Sequence, residues 1–138
     1  MRFQSFVKTG LVALTLSTSA VRANELPPLE DNSRVMGELV AGEVAYQIHK
    51  YCPTVSMRKL RAYGKLRKLA GYARSLGYSN ADFNAISKDA GARAIRDGKV
   101  DAYLAQQGVT KGDDDSYCRL GTEEIQKKSL TGWLLRAI

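Results

Sequence analysis

Apolar residues return at helical spacing along most of the chain. Met36, Val40, Val44, Ile48 and Tyr51 recur every three or four positions, which predicts one buried stripe of a first helix. Asp31, Asn32 and Ser33 are all residue types that cap a helix start. Cys52-Pro53 ends the helix, because proline disfavours helical geometry in the residue before it. Glu38, Gly42 and His49 fall on the opposite side. A second helix is expected over Ser56–Leu76, with Ala62, Leu66, Leu69, Ala73 and Leu76 in one narrow sector and Gly77 as a left-handed cap. Ser79 or Asn80 caps a third, Ala81 to about Asp97, with Phe83, Ile86, Ala90 and Ala94 on one face. Gly98 is placed to break it, with Lys99–Gln107 as its continuation or a short fourth helix. Gly108–Gly121 reads as a loop, and a last helix starts at Gly121 or Thr122, with Ile125, Ser129, Leu130, Trp133, Leu134 and Ala137 on its broad apolar side. No stretch alternates as a strand would. The fold expected is all-α, a compact bundle of four to five helices around one core.

The first 23 residues follow another pattern. Arg2 and Lys8 precede Thr9–Val21, which carries no charge and includes Leu11, Val12, Leu14 and Leu16, and Val21-Arg22-Ala23 has the small or apolar spacing of a cleavage site. A charged start, a short apolar run and such an exit predict a secretory signal peptide cut after Ala23. A membrane span needs about 20 apolar residues, and this run is shorter and rich in Ser and Thr. The domain plan is therefore signal peptide 1–23, extended arm 24–33 around Pro27-Pro28, and a single helical domain 34–138. The expected location is the periplasm or beyond.

Export changes the reading of charge and of cysteine. The full chain of 138 residues carries a net +7, but removing Arg2, Lys8 and Arg22 leaves 18 basic residues against 14 acidic ones, or +4. Much of the remaining basicity lies in one stretch, where Arg58, Lys59, Arg61, Lys65, Arg67, Lys68 and Arg74 occur with no acid between them. Arg61, Lys65, Lys68 and Tyr72 line one flank of the second helix and form the candidate binding surface. Nucleic acid is the usual partner of such a stripe, and an exported protein does not meet it, so none is expected. A protein partner in the envelope or an anionic membrane surface fits the compartment. Cys52 and Cys118 are the only two cysteines; in an oxidising compartment such a pair reads as a disulfide, and no Cys-x-x-Cys points to redox work.

Catalytic chemistry finds little support in the residues. His49 is the only histidine and lacks convergent partners for a metal or for base catalysis. No Gly-x-Ser-x-Gly elbow and no glycine-rich phosphate loop occurs. Asp113, Asp114 and Asp115 suggest calcium, and Glu124 even falls at the twelfth position counted from Asp113. The glycine that such a loop needs at its sixth position is Cys118, so a solvated acidic turn is the better reading. No metal, no cofactor and no enzymatic activity are expected.

The order Cys52-Pro-Thr-Val-Ser, RSLGYSNADF at 74–83, AYLAQQGV at 102–109, SYC at 116–118 and the ending TGWLLR resembles a small family of secreted bacterial proteins known as a domain of unknown function. The resemblance runs from about Arg34 onward and brings two cysteines but no catalytic motif. It implies an accessory or assembly role beside respiratory NADH:quinone oxidoreductase genes, and transfers no site residue. The function expected is that of a non-enzymatic periplasmic accessory or interaction protein, associated with a membrane complex; the alternative is a peripheral binder of anionic lipid headgroups. A small hydrolase or a metal-binding protein ranks below both.

Overall fold

The computed structural model of the chain describes residues 25–138, and the signal peptide expected over 1–23 lies outside them. Helix α1 (Ser33–Tyr51) starts where the Asn32 side chain accepts from the Val35 N–H at 3.0 Å. That contact satisfies a donor that a helix start leaves open. The helix ends at Cys52, in extended backbone ahead of Pro53. Met36, Val44 and Ile48 of the expected stripe are buried together with Val35 and Ala45, while Val40 and Tyr51 sit half-buried at its edge.

Next comes a strand, β1 (Val55–Met57), where a second helix was expected to begin at Ser56. It pairs antiparallel with β2 (Leu135–Ala137), which stands in place of the expected end of the last helix. The register sets Val55 against Ala137, Ser56 against Arg136 and Met57 against Leu135. Each strand is too short to display an alternating pattern, and the pairing is far from local in sequence. Arg58 extends it, with its N–H donating to Leu134 O at 2.7 Å and its Nε to Leu135 O at 3.0 Å.

Helix α2 (Lys59–Ser75) closes at Gly77, whose φ of 100° is the left-handed cap expected of it. The next break falls at Asp89 rather than Gly98, dividing α3 (Asn80–Lys88) from α4 (Ala90–Gln106). The Asp89 carboxylate accepts from the Ala92 N–H at 2.9 Å, and its extended backbone ends the phase that Phe83 and Ile86 set. Ala90 and Ala94 are consequently exposed rather than on the buried face. Gly98 lies inside α4 with open space around it, where a glycine weakens a helix by about 1 kcal/mol without ending it.

The stretch expected as a loop to Gly121 is helical from Asp114, as α5 (Asp114–Lys127). Tyr117, Leu120 and Glu124 recur at helical spacing on its buried side. Asp114 and Asp115 lie in its first turn, where the helix dipole favours negative charge. Cys118 therefore belongs to a helix, and its disulfide to Cys52, with Cα atoms 5.0 Å apart, binds the end of α1 to α5. Lys128 turns the chain through the left-handed region, at a φ of 54°, into the single turn α6 (Leu130–Trp133). The protein is all-α as expected, with six helices among the described residues and one small ribbon.

Two apolar clusters hold these elements. The larger joins Val44, Ile48, Val100, Leu104, Tyr117, Leu120, Leu134 and Leu135, so α1, α4, α5 and the ribbon share it. The smaller gathers Leu29, Val35, Leu69, Ala73, Tyr78, Phe83 and Ile86 under α2 and α3. Leu29 shows that the arm is docked: it forms a 3-10 turn over Leu29–Asp31, and the Pro27 carbonyl accepts from the Tyr78 hydroxyl at 2.7 Å.

Candidate interaction surface

Helix α2 has 17 residues and buries only Leu69 and Ala73 fully. Leu66 and Leu76, expected in its core sector, are exposed, and Ala62 is half-buried. Leu60 and Tyr63 stand further out, at 89% and 63% exposure. The helix is thus a cover laid against α1 and α3, and part of its apolar surface has no cover of its own.

The four residues of the expected binding surface have different fates. Arg61 places its guanidinium 4.9 Å from the Trp133 ring centre and donates to the Trp133 carbonyl at 3.2 Å. Lys65 pairs with Glu38 at 3.1 Å, and Arg34 reaches the other oxygen of the same carboxylate at 3.3 Å. Arg34 also lies over the Tyr72 ring, 4.1 Å from its centre. Lys68 is exposed and makes no ion pair among the described residues. Three of the four therefore tie α2 to α1 and α6, and Lys68 is the one left to solvent. Lys65 and Glu38 are half-buried, while Arg34 and Arg61 are exposed, where such contacts contribute about 0–1 kcal/mol each and orient α2 more than they hold it.

What α2 does build with α1 is a cleft of about 300 Å³. Leu39, Met57, Leu66, Leu69 and Leu134 form its apolar walls, and Tyr46 and Tyr63 stand at its mouth. Glu38 and Lys65 occur together on its edge. Sequence reading passed over Tyr46 and Tyr63, although a helical wheel turns Leu60 and Tyr63 away from Leu69 and Ala73, which is a legible sign of an apolar side chain without a core.

A second feature that sequence reading missed lies at Glu124, 2% exposed in the interior. Tyr103 of α4 donates its hydroxyl to one carboxylate oxygen, and Ser129, ahead of α6, donates to the other. Ser129 Oγ accepts in turn from the Gly132 N–H at 3.0 Å, capping α6. Burial, and then the hydrogen bond to Glu124, push the Tyr103 hydroxyl up to about 12. The available signal was an acid at helical spacing from Tyr117 and Leu120 on a buried stripe.

The calcium reading gains nothing from the geometry of the described residues. About 16 Å of helix separates Asp113 from Glu124, so the twelve-residue calcium spacing is not a loop here. No group of three or more His, Cys, Asp and Glu side chains is placed to hold a metal ion among the described residues. His49 is half-buried on α1. No described helix is long and apolar enough to cross a membrane.

A family of unknown function, DUF5333, matches residues 27–136. The chain belongs to this family. Its span starts in the docked arm and ends inside β2, so it takes in all six helices, both cysteines, the α1–α2 cleft and Glu124. No curated protein and no solved structure gives a match. Family membership thus agrees with the resemblance seen in the sequence and adds no activity to it.

Proposed function

We propose that the protein is a non-enzymatic accessory protein of the cell envelope that docks a protein partner on the α1–α2 cleft. The supporting observation is that Tyr63 and Leu66 remain exposed beside Tyr46, on a helix with six basic residues and no acid. Aromatic side chains at the mouth of an apolar cleft are the anchors that carry most of the energy in protein interfaces. The cationic helix selects a partner segment with an apolar anchor and acidic neighbours. Lys68 is exposed on the same helix, outside the lining of the cleft, and adds to its positive field, whereas Arg61 and Lys65 already have internal partners. The disulfide supports an oxidising compartment. A membrane-attached respiratory complex is the partner that the family resemblance suggests.

Site-specific photo-crosslinking from position 63 in intact cells tests the proposal. The expected result is one discrete adduct, lost when Tyr46→Ala and Leu66→Ser are combined and weakened by Lys68→Glu. A diffuse ladder of adducts, or one unchanged by these substitutions, sinks the idea.

A second reading rests on Leu60, 89% exposed between Lys59 and Arg61 and on the same face of α2 as Arg67, two turns further on. An apolar side chain framed by cations suits an anionic lipid surface. Flotation with vesicles containing anionic lipid separates the two readings: lipid attachment through Leu60 falls in Leu60→Ser and falls with salt, because screening shortens to roughly 10 Å at 0.1 M.

A further inference from the structure

Glu124 raises a question that the fold alone does not answer. A carboxylate removed from water is costly unless it is hydrogen-bonded and paired with a cation. Glu124 has the hydrogen bonds, from Tyr103 and Ser129, but no basic group within ion-pair distance among the described residues. Ser129 Oγ accepts from the Gly132 N–H at 3.0 Å and lies within hydrogen-bond reach of the Glu124 carboxylate and, at 3.4 Å, of the Glu124 carbonyl oxygen. With one donor on each oxygen, the carboxylate still has acceptor positions unused, since it can take about four hydrogen bonds.

Those positions border a cleft of about 250 Å³, distinct from the one between α1 and α2. Glu124, Tyr103, Ser129 and Thr131 supply its polar end, and Val40 and Val44 of α1 its apolar wall. Its mouth lies at Gly37, where a side chain would meet nothing within 4 Å. Past Gly37, Val40 and Tyr103 the cleft continues into a wider groove bounded by Glu30 and Asp31 on one hand and Lys99 on the other. The charged groups along this route are thus three acids and one base.

We propose that this cleft binds a small aliphatic ammonium group, with the Glu124 carboxylate as its counter-ion and Val40 and Val44 under its alkyl stem. An ammonium offers three donors and one positive charge, which is what the carboxylate lacks, and charge-assisted hydrogen bonds are the strong ones. A short alkyl chain suits a cleft of this volume; bulkier ligands need about 300 Å³ or more. The head group can arrive on a free amine or on a lysine side chain, and the chemistry of recognition is the same. This site is independent of the α1–α2 docking cleft.

The test is titration of the protein with n-butylammonium chloride, followed by amide chemical shifts and by calorimetry, with n-butanol as the neutral equivalent. Saturable binding is expected, with shifts at Val40, Tyr103 and Ser129 and none caused by n-butanol. Nα-acetyl-lysine amide, run in parallel, separates the two sources: binding of butylammonium alone marks a free-amine site, and binding of the lysine derivative marks a side-chain site. Glu124→Gln should weaken binding at least tenfold. Because that variant disturbs the interior, Gly37→Leu provides the second arm: it removes a helix glycine, should fold at least as stably, and should lose binding by obstructing the mouth. Equal responses to butylammonium and n-butanol, no saturable response to either amine, or full binding by a folded Gly37→Leu protein would each overturn the assignment.

Discussion

Gly132 shows how narrowly single positions are determined. A Cβ built there would lie 1.9 Å from the Glu124 carbonyl oxygen and 2.7 Å from the Ile125 nitrogen, both backbone atoms that cannot step aside. Gly132→Ala is expected to destabilise the protein by at least about 3 kcal/mol, through displacement of α6 from α5, and thermal unfolding reads it directly. Tyr103 gives a pH signature at the same scale. Its hydroxyl is raised from about 10 in the unfolded chain to about 12 in the fold, so the folded state holds the proton longer. The stability linked to it is complete below pH 10 and is lost as pH rises toward 12. Denaturant titrations should show that decline in the native protein and a smaller one in Tyr103→Phe. A decline of equal size in both would assign it to other tyrosines.

At the scale of elements, helix ends are governed by caps. Asp89 separates α3 from α4 with one side-chain hydrogen bond, so Asp89→Ala should cost about 1 kcal/mol, with the loss of protection confined to the first turn of α4. The same contrast explains what was legible in the sequence. Helix α1 could be read from end to end, because its stripe, its Asn32 cap and its Pro53 stop agree. Sequence pattern alone runs the third helix on to Asp97, because the Asp89 cap is visible only where its carboxylate meets the Ala92 N–H. The glycines and aspartates of the first half of α5 suggest a loop, whereas Tyr117 and Leu120, continued by Glu124, have the spacing of a buried helical stripe. Strands β1 and β2 were beyond sequence reading: each makes sense only beside the other, nearly the whole domain away. The basic flank of α2 was visible as composition, but its engagement by Glu38, Trp133 and Arg34 depends on how α2 lies against its neighbours.

At the scale of the whole molecule, two long-range ties meet near one place. The disulfide joins Cys52 to Cys118, a sequence separation of 66, and the ribbon joins Val55–Met57 to Leu135–Ala137. Closing a loop of that length restricts the unfolded chain by about 4 kcal/mol in the entropy model. Urea titration of the oxidised protein and of a Cys52→Ala, Cys118→Ala variant should differ by about that amount, with far less effect from reductant on the double variant. Between the two ties the chain leaves the larger apolar cluster, builds α2 and α3 over the smaller one, and returns through α4. Such a plan makes opening hierarchical. The smaller cluster can come apart while the disulfide and the ribbon keep α1, α5 and α6 together, so amide protons of α2 and α3 should exchange with deuterium through a local event of lower free energy than global unfolding. Amides of α1 near Ile48 and of α5 near Leu120 should exchange only when the whole chain unfolds. The surface proposed for a partner would then belong to the part of the molecule that breathes, and an occupied cleft would be recorded as slowed exchange along α2.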